Sequence, residues 1–468
     1  MAKTRTESDS LGSWELPADA LYGVHTARAS ANFPITGTLL RDYPEVIQSL
    51  GMVKKAAALA NMELGALDEI IGRAIVRGCD RVIAGEVDSA FIVDMVQGGA
   101  GTSTNMNANE VIANLALREM QRAPGHYELI HPNDHVNLSQ STNDAYPTTM
   151  RLTMVRITPS LVAELRALKA AFGAKGMEFH DIIKVGRTQL MDAVPMRLGD
   201  EFRAFGVTIG EDADRLGEVS NFLREINLGG TAIGTGINTP EGYVGCVMRH
   251  LSAVSGERVI AAGDMIEATS DMGAFVTFSG VLKRIAVKLS KICNDLRLLN
   301  SGPRAGFGEI KLPSVQAGSS IMPGKVNPVI PEVMNQIAYQ VIGNDLTVTM
   351  AAEAGQLQLN AMEPVIVFNI LQSMRMLTRG MKVLREKCVD GIEADALRCK
   401  FLLEHSLVAV TAISPYVGYA KASAVAKEAL ASGNSVRAVV LAKGLMTEAE
   451  LDKAFTTENL LGLKKRKE

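Results

Sequence analysis

The sequence predicts a mainly α fold, and three observations carry that expectation. Aromatic residues make up only 5% of the 468 residues, while Ala, Leu, Val, Met and Glu are plentiful, a balance that favours helices over sheets. Phe275, Phe278, Leu282, Ile285, Leu289, Ile292, Leu296 and Leu299 recur in strict 3-4-3-4 spacing, the seam of a helix packed lengthwise against other helices. Val367, Ile370, Met374, Leu377, Met381, Leu384 and Cys388 follow the same rule. Helices this long need a bundle to bury their faces.

From the N-terminus, Leu11 to Gly37 is rich in Gly, Pro and Thr and reads as irregular, whereas 44–86 and 107–121 carry helical patterning. Residues 1–140 are therefore expected to form a mixed, mostly helical domain. Residues 151–226 read as long helices interrupted at Pro159 and over Gly186 to Pro195. The first seam ends at Gly302-Pro303, and 329–363 has few breakers apart from Gly343 and Gly355. Together these assign 141–396 to a central helical bundle. Beyond Gly391 the helices shorten, broken at Pro415 to Gly418 and at Ser432-Gly433-Asn434, which leaves 397–468 as a small helical C-terminal domain.

Composition narrows the function. With 47% hydrophobic residues and 48 basic against 51 acidic side chains, net charge -3, the chain is neither disordered nor built mainly to bind nucleic acid. The five cysteines are scattered without a CxxC pair and read as reduced core residues. The opening residues lack the apolar core of a signal peptide, and no run of about 18 apolar residues occurs. A soluble, cytoplasmic protein without a membrane partner is expected. The run Lys464-Lys465-Arg466-Lys467 reads as a solvated end rather than a targeting signal.

Four polar stretches are hard to explain by packing. Gly98 to Asn105 is followed by Asn107-x-x-Glu110, which looks like a capping box; a glycine-lined helix start suits a carboxylate, although an ordinary capped helix would look the same. Gln140-Ser141-Thr142-Asn143-Asp144 offers five successive hydrogen-bonding groups, again either a cap or a site. Gly186-Arg187-Thr188-Gln189 to Ala193 is a polar insertion in which Asp192 could cap the next helix and Arg187 could pair with it. Gly318-Ser-Ser-Ile-Met-Pro-Gly-Lys-Val-Asn-Pro328 lies between two long helices and combines flexible glycines, two hydroxyls, a lysine and an asparagine, the makings of a mobile active-site loop. Val326 after Lys325 breaks the phosphate-loop pattern, so nucleotide binding is not expected. None of the seven histidines lies inside these stretches, which leaves a histidine base or a zinc site without support.

The eleven residues Gly318 to Pro328 resemble the signature of the aspartase/fumarase superfamily, and the resemblance extends from about Leu11 to about Leu461. It implies three domains, a central five-helix bundle, and a homotetramer whose bundles form a twenty-helix core with active sites assembled from three subunits. Gly101 to Asn109 and Ala351 to Asn360 are similar to the aspartase branch, which interconverts L-aspartate with fumarate and ammonia. Class II fumarases, acting on L-malate, usually carry Thr-His where this chain has Thr188-Gln189, and glutamine cannot take up a proton at neutral pH. Catalytically silent lens proteins also belong to the wider superfamily, but the polar set is retained together here. Ala431-Ser432-Gly433 matches the tripeptide that cyclises in aromatic amino-acid lyases, yet it reads better as a helix end.

By the same resemblance, Ser319 is the general base, its acidity raised by Lys325, backbone N–H groups and exclusion of water. Thr102, Ser141, Thr142 and Ser320 would hold the carboxylate beside the acidic C–H. Thr188, Lys325 and Asn327 would hold the other carboxylate, while Asn143 and Gln189 would accept from the ammonium group. No cofactor is required, and some aspartases are activated by a divalent cation such as magnesium.

Overall fold

The computed structural model describes residues 3–461, so the Lys464–Lys467 run lies outside the described residues. The fold is mainly helical. Its chain order begins with a hairpin, β1 (Thr4–Asp9) and β2 (Gly12–Pro17), then α1 (Val24–Asn32), α2 (Pro44–Glu63), α3 (Glu69–Ile83) and α4 (Thr102–Glu119). The long α5 (Thr142–Glu178) leads to a second hairpin, β3 (Ile183–Thr188) and β4 (Met191–Arg197), and to α6 (Leu198–Ser220). Next come α7 (Tyr243–Ser255), α8 (Met265–Ser270), α9 (Gly273–Leu299), α10 (Val329–Glu353) and α11 (Glu363–Lys387). Shorter helices close the chain: α12 (Ala396–His405), α13 (Val410–Val417), α14 (Tyr419–Ser432), α15 (Val436–Ala442) and α16 (Glu448–Ala454).

The chain divides into two compact units, the first holding the chain through Val162 with Asp214–Ala286 and Tyr339–Thr378, the second Ala163–Ala213, Val287–Ala338 and the chain from Arg379 on. In the first unit, Val53, Ala56 and Ala60 of α2 pack with Ala145 and Leu152 of α5 and Val247 and Leu251 of α7. Asp345 on α10 accepts from Ser279 (2.8 Å) and pairs with Lys283 (2.6 Å) on α9, fixing the register of those helices. In the second unit, the Phe179 and Phe202 rings meet edge to face at 5.1 Å, and Asn335 donates to Ser290 Oγ (2.8 Å) and Asn294 Oδ1 (3.0 Å). The C-terminal helices gather their own cluster around Ile413, Val425, Val440 and Leu451.

The two seams behave as their spacing predicts: every seam residue of α9 and of the Val367–Cys388 run is at most 5% exposed. All five cysteines are free and buried. Two local expectations are corrected. Residues 11–37 are not irregular throughout, because β2 pairs with β1 and α1 follows. Pro159 does not interrupt α5, since the buried Val155, Leu161 and Leu165 around it outweigh the roughly 3 kcal/mol cost of an interior proline. The carbonyl that Pro147 strips of its helical donor, that of Asn143, accepts instead from Asn227 Nδ2 at 3.0 Å. Gly186 to Pro195 does interrupt the helices, as part of the β3–β4 hairpin between α5 and α6.

Candidate active site

In the first unit, two helix starts converge. Gly99, Ala100 and Gly101 all have positive φ (89°, 54° and 90°), and a side chain at Gly101 would overlap the Tyr146 ring. This turn delivers Thr102 as the first residue of α4, half-buried, its Oγ1 donating to Gly99 O at 2.7 Å. Asn107 and Glu110 do not open the helix as a capping box would. They lie inside it and serve tertiary bonds: Asn107 accepts from Ile92 N (3.1 Å), and Glu110 accepts from Gly23 N, His25 N, Thr26 N and Thr26 Oγ1.

Ser141 caps α5, its Oγ accepting from Asn143 N at 3.2 Å. Thr142 Oγ1 accepts from Asn105 Nδ2 at 3.1 Å, which leaves the Thr142 hydroxyl proton to be donated elsewhere. Asn143 donates through Nδ2 to Ala232 O at 2.8 Å, leaving its Oδ1 as an acceptor. Behind this row lies Lys54, fully buried, donating to Asn105 Oδ1 (2.6 Å), Asn137 Oδ1 (2.9 Å) and Gln140 Oε1 (2.8 Å). Burial brings its ammonium down to about 7 against the opposing field of Asp144. Asp144 accepts from Ser141 N (2.9 Å), Gly229 N (3.0 Å) and Thr231 N (2.9 Å). Burial pushes its carboxyl up to about 6, and those three N–H groups and Lys54 oppose the shift.

The second unit supplies the other two polar stretches. Thr188 ends β3, and Gln189 and Leu190 form a two-residue turn with φ of 54° and 62°, the left-handed geometry that joins tight hairpins. Thr188 and Gln189 are exposed at this tip. Its base is anchored by Glu309, 0% exposed, whose carboxylate pairs with Arg187 (2.9 Å) and Lys184 (2.9 Å), while the Arg187 guanidinium stacks on Phe307. Arg187 therefore pairs with Glu309 and not with Asp192, and Asp192 caps no helix: it lies in β4, before α6 begins at Leu198.

In the 318–328 loop, Ser319 Oγ accepts from Ile321 N (3.1 Å) and Met322 N (3.3 Å). Two N–H donors on one hydroxyl oxygen favour its deprotonated form. The loop doubles back so closely that a side chain at Gly318 would overlap the Lys325 carbonyl. Ser319 and Asn327 are half-buried, Ser320 and Lys325 exposed. Pro331 and Glu332 fall in the first turn of α10, as the sequence predicts.

The structure thus brings Thr102, Ser141, Thr142 and Asn143 together in the first unit through the Asn105–Thr142 bond, and it groups Ser319, Ser320, Lys325 and Asn327 on one folded loop of the second, with Thr188 and Gln189 on a separate hairpin tip there. Sequence reasoning missed Lys54 and Asn137, and it gave no role to Asn105 or Asp144 although both lie within its polar stretches. The available signal was a lysine at an apolar position of α2, between Leu50 and Ala57 on the buried stripe.

Known proteins match this chain over nearly its full length. The family described as Lyase matches residues 12–343, and the fumarase C C-terminus matches 410–462. The aspartate ammonia-lyase of Pseudomonas fluorescens is 57% identical over 98% of this chain and 96% of its own. That of Escherichia coli K12 is 52% identical over 98% and 96%. A cobalt-bound fumarate lyase:delta crystallin from Brucella melitensis superposes with a TM-score of 0.95 at 56% identity, covering 98% of this chain and 99% of that one. The class II fumarase of Schistosoma mansoni gives 0.91 at 31% identity, covering 97% and 98%. The chain belongs to the aspartase/fumarase superfamily of lyases.

Proposed function

We propose that the protein is a carbon–nitrogen lyase that reversibly deaminates L-aspartate to fumarate and ammonia. The observation that carries this reading is the 52–57% identity to aspartate ammonia-lyases along essentially the whole chain, joined to a loop whose Ser319 oxygen receives two backbone N–H groups. Ser319, as its alkoxide, takes the proton from the carbon beside the distal carboxylate. The C–H electron pair moves into that carboxylate, giving an enediolate-like dianion. Its collapse forms the carbon–carbon double bond and breaks the C–N bond, and the amine leaves as ammonia.

Charge builds on the distal carboxylate, so fixed donors there do most of the work. Thr142, oriented by Asn105 and Lys54, is the clearest of these, with Thr102, Ser141 and Ser320 beside it in role. Lys325, Thr188 and Asn327 hold the other carboxylate, where the Lys325 side chain supplies compensating charge. Asn143, whose Nδ2 is already committed to Ala232, offers Oδ1 to the substrate ammonium, and Gln189 offers its carbonyl. Gln189 also weighs against L-malate, because hydration needs a proton acceptor that a glutamine cannot be.

The elimination as written draws on no metal or organic cofactor, and activation by a cation such as magnesium would be a separate effect. The reading extends to a cytoplasmic homotetramer. Among the described residues no helix is long and apolar enough to cross a membrane. The test is fumarate absorbance with L-aspartate and L-malate offered separately to EDTA-treated protein. Turnover of aspartate alone is expected; turnover of malate alone would make the protein a fumarase.

A further inference from the structure

Outside the candidate active site, one cluster in the first unit joins three metal-binding chemistries. Cys246 and His250 stand one turn apart on α7 and so share a face, and Glu63 is the last residue of α2. Their sulfur, imidazole nitrogen and carboxylate oxygen all lie within 4.8 Å of one another, with His250 Nε2 2.8 Å from Glu63 Oε2. Cys246 is 4% exposed whereas the other four cysteines are 0% exposed. A cation already occupies the place: Arg249 Nη2 is 2.7 Å from Glu63 Oε1 and 3.5 Å from Cys246 Sγ.

We propose that Glu63, Cys246 and His250 bind a borderline transition-metal cation, Zn²⁺ or Co²⁺, with water as the fourth ligand. Ligands at about 2.0–2.3 Å from a tetrahedral metal lie roughly 3.3–3.8 Å apart. The widest separation therefore needs to close by at most about 1.0–1.5 Å, while the His250 Nε2–Glu63 Oε2 pair opens by roughly 0.5 Å. Glu63 and Arg249 are exposed and can turn, letting the guanidinium swing into solvent as the metal replaces it. The thiol gives its proton to solvent on coordination. Sulfur and imidazole donors select Zn²⁺ or Co²⁺ over Mg²⁺, which demands oxygen ligands in octahedral geometry. The bound ion would pin the end of α2 to α7, whose apolar faces already pack together.

The test is a Co²⁺ titration of the metal-free full-length protein, followed by the thiolate-to-cobalt charge-transfer band in the near ultraviolet and the visible d–d absorption of a tetrahedral site. One equivalent per chain is expected, unaffected by excess Mg²⁺. Cys246→Ser should abolish the charge-transfer band, and His250→Gln and Glu63→Gln should each weaken affinity at least about tenfold. Arg249→Ala should tighten it. Aspartate turnover by Cys246→Ser should equal that of the parent protein, which separates this site from the proposed active site. Absence of the charge-transfer band, or a band that survives Cys246→Ser, overturns the proposal.

Discussion

Glu363 opens α11 fully buried, with Oε1 lacking a hydrogen-bond partner among the described residues, and burial pushes its carboxyl up to about 8 despite the opposing charge of Arg151. The folded protein therefore keeps a proton on Glu363 that the unfolded chain releases above its ordinary value of 4.5. In that window the native state binds more protons, so stability falls as pH rises, by about 1.4 kcal/mol per pH unit for this one group. Glu363→Gln removes the titration while keeping the shape. Asp144 and Glu110 are also raised by burial, to about 6 and about 7, and contribute the same sign, but they are common to both proteins and cancel in the difference. The stability of Glu363→Gln relative to the parent should thus grow by about 2–3 kcal/mol between pH 6 and pH 8. Urea unfolding midpoints at several pH values report it, at one fixed protein concentration because an oligomer unfolds by mass action. A difference that stays constant across this range would mean that Glu363 is ionised throughout, held by Arg151, and the burial argument would fail.

Further substitutions probe the loop and the helix starts. Lys325→Ala should lower kcat/KM for L-aspartate roughly 10–100-fold, the worth of one hydrogen bond to a charged group, with the oligomer unchanged by light scattering; parent-like kinetics would remove Lys325 from the site. Gly318→Ala forces a side chain into the Lys325 carbonyl and should cost about tenfold or more in kcat/KM, yet leave the urea midpoint untouched because the loop is exposed. Thr142→Val deprives Asn105 Nδ2 of one of its two acceptors, leaving Asn137 Oδ1, and the substrate of a donor. It should reduce kcat/KM by about 10–100-fold and stability by about 1 kcal/mol, and an unchanged kcat/KM would refute the role of the α5 start.

The long helices were legible because their burial is one-sided and periodic: Phe275, Leu282, Leu289 and Leu296 recur every seven residues, close to two turns, on one stripe, and nothing but a packed helix accounts for that spacing. The 318–328 loop was legible because its residues cluster in sequence. Short hairpins carry weaker signals. In β3, Lys184 and Arg187 face a buried carboxylate contributed by Glu309, so polar residues sit where a strand pattern would show apolar ones. Asn107 and Glu110 imitate a cap in sequence, and only the fold shows that their partners are Ile92 and the Gly23–Thr26 turn. Lys54 and Asn105 are 51 positions apart, and Glu63 stands far along the chain from Cys246 and His250. Such pairings exist only once the helices have packed.

The central claim is that Ser319 removes the substrate proton, and the most direct measurement is the turnover of L-aspartate by Ser319→Ala, with succinate binding measured on the same protein. The account predicts kcat lower by about 10²–10⁴-fold, the usual contribution of a positioned base, with succinate affinity within about twofold of the parent because the carboxylate donors remain. A Ser319→Ala protein that turns over aspartate at the parent rate, in an intact oligomer, would contradict it.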